Sequence, residues 1–310
     1  MVICYNELMI CITFSGDFLG KMSSELENFT RAGELGAIKE NTPLWDIAVF
    51  GTTQVFHALD FFPVTDVKGV NLAFEVQPFL YDTMLLKRFA GNIRKGGIVL
   101  FGIAPCNFML YDFFPSMRNS YHFKRYYLMC GAGFHASCSP AEACLVKLKY
   151  FFKSVFHRLS FCRKCDDNDF SATPEALEKD AVETVKDFQK NFFHAPDFKY
   201  LIDESVIQKN IDILCGSIDF ARSSGLKPML MLVPNSPAFY RELDEDVMKR
   251  YFGEPFEQVV RKTSVPVMDL MTEPLFAANE NYLDALSMSA AGRKKFTEHL
   301  VNIIKSGDYA

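Results

Sequence analysis

Asp46–Asp60 reads DIAVFGTTQVFHALD, and this stretch decides the fold. Four apolar residues, Ile47, Ala48, Val49 and Phe50, run into Gly51-Thr52-Thr53. A short apolar run ending at a glycine reads as a buried parallel strand. Val55, Phe56 and Leu59 then repeat at helical spacing. The join is a strand, a tight turn bearing two hydroxyls, and a helix start. It reads two ways. The hydroxyls cap the helix, or the turn is a ligand or oxyanion site at the carboxyl end of a central strand.

Working outward, the same rhythm repeats. Val70–Phe74 is a second short strand. Pro78–Phe89 is a helix with Leu80, Met84, Leu85 and Phe89 on one face, and Lys95-Gly96-Gly97 reads as its end. Ile98–Ile103 is a third buried strand. Later, Val206–Arg222 is a helix, Pro228–Val233 a strand, Arg241–Val260 mostly helix, Val265–Leu270 the last strand, and Ser289–Ile304 a closing helix. Short βα connections in this order predict an α/β, doubly wound, mostly parallel five-stranded sheet with helices on both faces. Residues 1–45 read as an N-terminal extension, with 1–21 as a disordered or over-extended start. Residues 46–305 read as one domain, interrupted by a helical insertion at about 106–200. Within the insertion, 141–159 is an amphipathic helix with Lys147, Lys149, Lys153 and Arg158 on its polar face. It reads as a surface helix over a core, with peripheral membrane contact as the alternative. Residues 166–175 read as a polar loop.

Composition narrows the classes. The 310 residues are 49% apolar and 14% aromatic, which supplies ample core. The net charge of −5 gives no basic excess for nucleic acid. No stretch is a membrane span, and the start has no signal-peptide pattern. Nine cysteines, an odd number, fit reduced thiols in a cytoplasmic protein. Cys162 and Cys165 form one CxxC, with Cys138 and Cys144 upstream, but a zinc site needs a second close pair, so no metal is expected. No cofactor is expected either. Arg94–Leu100, RKGGIVL, suggests a methyltransferase, yet the glycine-rich cofactor loop after the first strand is missing.

Four blocks together resemble the SGNH/GDSL hydrolase-like superfamily, and within it the branch found among bacterial surface-polysaccharide proteins. They are Gly51-Thr52-Thr53; Val70–Ala73 with Gln77 and Tyr81-Asp82; Lys227-Pro228 through Pro234–Pro237; and Tyr282–Ser289 with Gly292 and Phe296-Thr297. The likeness covers about 45–105 and 205–305. It implies a flavodoxin-like three-layer sandwich, and a carbohydrate or acylated glycan as ligand. Residue by residue, it places Thr53 at the nucleophile position, Asp284 at the acid and Ser287 where the family has His. Gly51, Asn71, Gln77, Asn107 and Asn235 become candidate binding residues, with Gln77 or Asn107 supplying an oxyanion donor beside the Thr53 N–H.

The departures bear on activity. A triad needs an imidazole that takes and returns a proton, and a serine hydroxyl at 287 cannot do that. Thr53 is also a hindered nucleophile. The substitutions therefore point to a degenerate site that binds a glycan, an acyl-bearing ligand or a partner. The alternative is an active carbohydrate esterase or O-acetyltransferase with a rewired base. His57, four residues after Thr53, and His135 are the candidates for that base; His299 lies inside the closing helix. Each histidine also reads as an ordinary surface, loop or core residue.

Overall fold

The computed structural model describes residues 2–5, 8–11, 31–32, 34–61, 64, 66–110, 125–126, 129, 172–188 and 204–307. The chain divides into two compact units, residues 1–38 with 116–162, and 39–115 with 163–310. In the first, β1 (Val2–Tyr5) and β2 (Leu8–Cys11) pair as an antiparallel hairpin.

The second unit carries the sheet. In chain order it comprises β3 (Trp45–Phe50), α1 (Thr53–Ala58), β4 (Gly69–Asn71), α2 (Phe79–Phe89), β5 (Ile93–Ile103), α3 (Pro174–Phe188), α4 (Glu204–Ser223) and β6 (Lys227–Leu232). After these come α5 (Pro237–Glu242), α6 (Glu245–Met248), a π-helical turn (Lys249–Gly253), α7 (Glu254–Thr263), β7 (Val267–Asp269) and α8 (Ala290–Ser306). The strand order is β4-β3-β5-β6-β7, and every neighbouring pair is parallel. The doubly wound five-stranded sheet read from the sequence is therefore present, and its parallel character is complete. The apolar runs explain it: Val49, Phe50, Leu100, Phe101, Leu230 and Met231 are almost wholly buried, as central strands covered on both faces require. The chain leaves β3 toward one edge and returns past it to β5. Right-handed crossovers then put α1 and α2 on opposite faces. α8 packs on α1, while α2 and α7 both pack on α4.

Two local expectations change. Lys95-Gly96-Gly97 does not end a helix. α2 stops at Phe89, a single 3₁₀ turn covers Ala90–Asn92, and β5 begins at Ile93. Trp45 pairs with Ile93 but Ile47 with Ile98, so the extra residues of β5 bulge out. Gly96 makes that bulge at φ +74°, and its N–H donates to Gly225 O at 2.9 Å. The second change is that the expected helix 241–260 is broken into α5, α6, a π turn and α7. Pro237 and Pro255 sit in the first turns of α5 and α7, where a missing N–H costs little. The 141–159 helix, the polar segment 166–171, His135 and Cys138, Cys144, Cys162 and Cys165 lie outside the described residues. No helix among the described residues is long and apolar enough to cross a membrane.

Candidate functional site

Winding reverses between β3 and β5, since the crossover from β3 to β4 and that from β4 to β5 run in opposite directions. The crevice at the carboxyl ends of β3 and β5 is thus the topological switch point, where ligands bind in open α/β sheets. Gly51 makes the turn out of β3. Its φ is +150°, and a Cβ there would lie 2.6 Å from Val55 Cγ2 and 2.8 Å from Gly102 O. Only glycine lets α1 start this close to β5.

The two hydroxyls do not cap α1. Thr52 Oγ1 accepts the Gln77 N–H at 3.1 Å, and Thr53 Oγ1 accepts the Val76 N–H at 3.1 Å. Both reach sideways to the loop between β4 and α2, and Thr52 occupies the N-cap position with no capping bond of its own. The loop they hold is strained, because Val76, a β-branched residue, sits at φ +52°. Asn71 is also absorbed by local structure. Its Nδ2 donates toward the carbonyls of Val55, Phe56 and Leu59, and its Oδ1 accepts the Ala73 N–H. It closes the end of α1. The Gln77 amide donates to Leu72 O and, at 2.6 Å, to Asp82 Oδ1. Burial raises the Asp82 carboxyl to about 7, against the Gln77 hydrogen bond and the nearby Gly51 amide.

Asp284 and Ser287 belong to a loop closed by a bridge between Tyr282 and Met288. Asp284 Oδ1 accepts the N–H groups of Leu286 and Ser287, so its carboxylate is turned onto its own loop. The loop is tied to the β6 side of the sheet. The Ser236 N–H donates to Ala285 O, and the Ala285 N–H donates to Asp180 Oδ2 at 2.7 Å. Burial is the main cause that raises the Asp180 carboxyl, with the charges of Asp284 and Glu183 adding to it. α1 and α8 both descend from this edge and are joined where the Asp60 N–H donates to Thr297 Oγ1. Their first residues, Thr53 and Ala290, therefore start from the same edge of the sheet. Among the described residues, no hydrogen bond joins the side chains of Thr53, Asp284 and Ser287. Thr53 points its oxygen toward the β4 side, and the 284–287 loop is anchored beyond β5.

Four buried carboxamides keep an unpaired atom: Asn92 Oδ1 just before β5 begins, and Gln54, Asn107 and Asn235, each of which follows a different strand. Gln54, after β3, is 1% exposed with neither Nε2 nor Oε1 hydrogen-bonded. Asn107, after β5, accepts the Ala104 N–H on Oδ1 at 2.6 Å and leaves Nδ2 unpaired. Asn235, after β6, donates to Tyr240 Oη at 2.9 Å and leaves Oδ1 unpaired. Buried polar groups are nearly always hydrogen-bonded, so each of these open atoms is an exception. Cys106 precedes Asn107; burial pushes its thiol up to about 12, against its own backbone N–H and the neighbouring Gln54 amide. Asn107 was legible in the sequence as an amide after a strand. Gln54 was not, because nothing in a polar residue next to two threonines says that it is buried.

The histidines are placed differently from one another. His57 Nε2 lies 3.3 Å from Glu75 Oε1, immediately before Val76, and its ring stands edge-on to Phe56. His299 packs edge-on against Phe276, with a buried, unpartnered Nε2. Among the described residues, no group of His, Cys, Asp and Glu side chains is arranged to hold a metal.

No protein-family model matches the sequence, and no curated protein is significantly similar to it. Among solved structures, the chain is similar to a Streptococcus pneumonia protein provisionally assigned as a platelet activating factor. The identity is 13% and the TM-score 0.39, over 92% of this chain and 96% of that one. It is also similar to a Bacteroides fragilis protein provisionally assigned as an acylhydrolase, at 8% identity and a TM-score of 0.41, over 89% and 94%. Likeness at this level carries no argument. The architecture stands on the strand pairing, and the site on its own geometry.

Proposed function

We propose that this chain is an SGNH/GDSL-hydrolase-like protein that binds an acyl-bearing glycan at the carboxyl edge of its sheet, without Ser–His–Asp chemistry. A role in bacterial polysaccharide assembly follows from the sequence resemblance. The observation that carries the reading is the site's composition. Buried amides with open hydrogen-bonding groups follow β3, β5 and β6, and position 287, where the resemblance expects a base, carries a hydroxyl. Amides recognise carbonyls and hydroxyls; they do not take protons. Thr53 Oγ1 is also committed to the Val76 N–H.

Repair tests this reading. Thr53→Ser with Ser287→His restores the residue types of a Ser–His–Asp set with Asp284. The native chain is expected to show no detectable hydrolysis of short acyl esters; turnover by the double variant alone supports the reading, provided that the 284–287 loop brings position 287 to position 53. Turnover by the native chain equal to that of the variant contradicts it.

One observation favours a second reading, an esterase or O-acetyltransferase with a rewired base. His57 has a carboxylate partner in Glu75, shares a helical face with Thr53 at i, i+4, and flanks the same loop. In that case native turnover is lost in both His57→Ala and Thr53→Ala, and falls in Glu75→Gln.

A further inference from the structure

The loop between β4 and α2 is gripped at three successive residues. His57 Nε2 lies 3.3 Å from Glu75 Oε1, Thr53 Oγ1 accepts the Val76 N–H at 3.1 Å, and Thr52 Oγ1 accepts the Gln77 N–H at 3.1 Å. All three gripping residues belong to α1 or its N-cap. A fourth grip comes from α2, where Asp82 Oδ1 accepts from the Gln77 side chain at 2.6 Å. The middle residue, Val76, is held at φ +52°, a conformation that a β-branched residue leaves when it is released. The loop therefore carries strain against these bonds. It also occupies the two hydroxyls that a ligand at the Gly51–Thr53 turn would meet.

Two of the grips depend on a proton, and in the same direction. The ion pair needs a protonated His57; without that proton a hydrogen bond to Glu75 is the most that remains. Asp82 is buried with Oδ2 unpartnered, and burial raises its carboxyl to about 7. A neutral carboxyl tolerates the dry site, whereas a carboxylate draws water to its open oxygen. The residue bonded to it, Gln77, ends a loop that reaches solvent at the half-buried Glu75 and Val76. Gln77 and the Gly51 amide act on Asp82 against burial, and no charged side chain is among the causes of its shift. α4 packs on α2 through the Ser217–Thr83 hydroxyl pair, and its Asp212 pairs instead with Lys262 of α7. α8 packs on α1 and carries Arg293, Lys294, Glu298 and His299, yet the charged partner of His57 among the described residues is Glu75.

We infer that residues 75–77 form a proton-controlled latch on the Gly51–Thr53 turn, shut while His57 and Asp82 hold their protons and released as they lose them. Release parts Val76 and Gln77 from the two threonines, relaxes Val76 and frees both hydroxyls at the switch point. Once solvated, the Asp82 carboxyl returns toward its ordinary 3.8. The shut state is therefore favoured most in acid and least above about 7. The latch governs access to the site of the glycan-binding reading and rests on that reading only for what the freed turn then binds. Its movement needs no ligand, so either can fail without the other.

Amide hydrogen exchange of Val76 and Gln77, followed by NMR on the full chain and corrected for the intrinsic effect of pH, tests it. The opening constant is expected to rise roughly tenfold or more between pH 5 and 8. The ceiling is about a thousandfold, set by a carboxyl that moves between 3.8 and about 7. Both amides are expected to open more readily than Leu100 and Phe101 of β5 at every pH, as local opening requires. Asp82→Asn keeps an acceptor for Gln77 without the charge and is expected to flatten most of the pH dependence. His57→Gln still donates to Glu75 but not as a cation, and is expected to raise opening about two- to fivefold at pH 5 and less at pH 8. Flat exchange in the native chain, or an undiminished slope in Asp82→Asn, overturns the latch. One opening constant shared by the loop and β5 also overturns it, since the threonine bonds then break only on unfolding. Opening at pH 5 that His57→Gln leaves unchanged overturns the role given to His57.

Discussion

Asp82 holds a carboxyl where water does not reach, with one hydrogen bond from Gln77 and Oδ2 unpaired. Its folded pKa is raised from 3.8 to about 7. The folded chain therefore keeps a proton that the unfolded chain releases across that window. The contribution to stability is full below pH 3.8, declines as pH rises, and is lost above about 7. A shift of about three units sets an upper bound of roughly 4 kcal/mol. Asp82→Asn keeps the acceptor for Gln77 and removes the titration. Thermal melting at a series of pH values should show the variant more stable than the native chain at pH 8, with a flatter profile between pH 4 and 7. An unchanged slope would mean that Asp82 ionises without cost. Val76 tests strain in the neighbouring loop. At φ +52° a β-branched residue costs about 1 kcal/mol. Val76→Asn tolerates this geometry and should raise the melting temperature. Thr53→Val, which leaves the Val76 N–H without its acceptor, should lower stability by about 1–2 kcal/mol in urea melts.

At the scale of elements, the fit between α1 and β5 is the tightest packing at the site. A Cβ on Gly102 would lie 2.3 Å from Val55 Cγ2. Gly102→Ala should therefore destabilise by about 1–3 kcal/mol, and Val55→Ala in the same chain should recover part of the loss. Equal stability of Gly102→Ala and the native chain in denaturant melts would refute this packing. The elements were legible in the sequence to different depths. Continuous apolar runs at 47–50, 98–103 and 228–233 could be placed because a buried parallel strand leaves that trace. Arg94–Gly97 could not. A basic pair before glycines has the composition of a helix end, and only pairing with Trp45 and Gly225 shows it to be a bulged strand. The hydroxyls of Thr52 and Thr53 carry no mark of their partners at Val76 and Gln77. Contacts across more than twenty residues depend on where β4 lies in the sheet. Asp284 and Ser287 were found as a loop before the last helix. That Asp284 turns onto its own N–H groups is a matter of geometry which spacing does not encode.

For the whole molecule, the order β4-β3-β5-β6-β7 fixes which strand ends are neighbours. It sets the switch point beside Gly51 and aligns Gln54, Asn107 and Asn235 along one edge. It leaves Ser287 and Asp284 on a loop anchored to the β6 side. On the reading proposed above, the arrangement supplies recognition groups and places no base at position 287. Binding and an oxyanion hole without a working triad leave roughly 10³–10⁴ over the water reaction, far short of triad catalysis. The central claim is that Thr53 performs no nucleophilic step. Steady-state hydrolysis of a short acyl ester at neutral pH, by the native chain beside Thr53→Ala, tests it most directly. Two equal rates are expected, neither more than roughly 10³–10⁴ above the uncatalysed background. Clear turnover by the native chain that disappears in Thr53→Ala would contradict it.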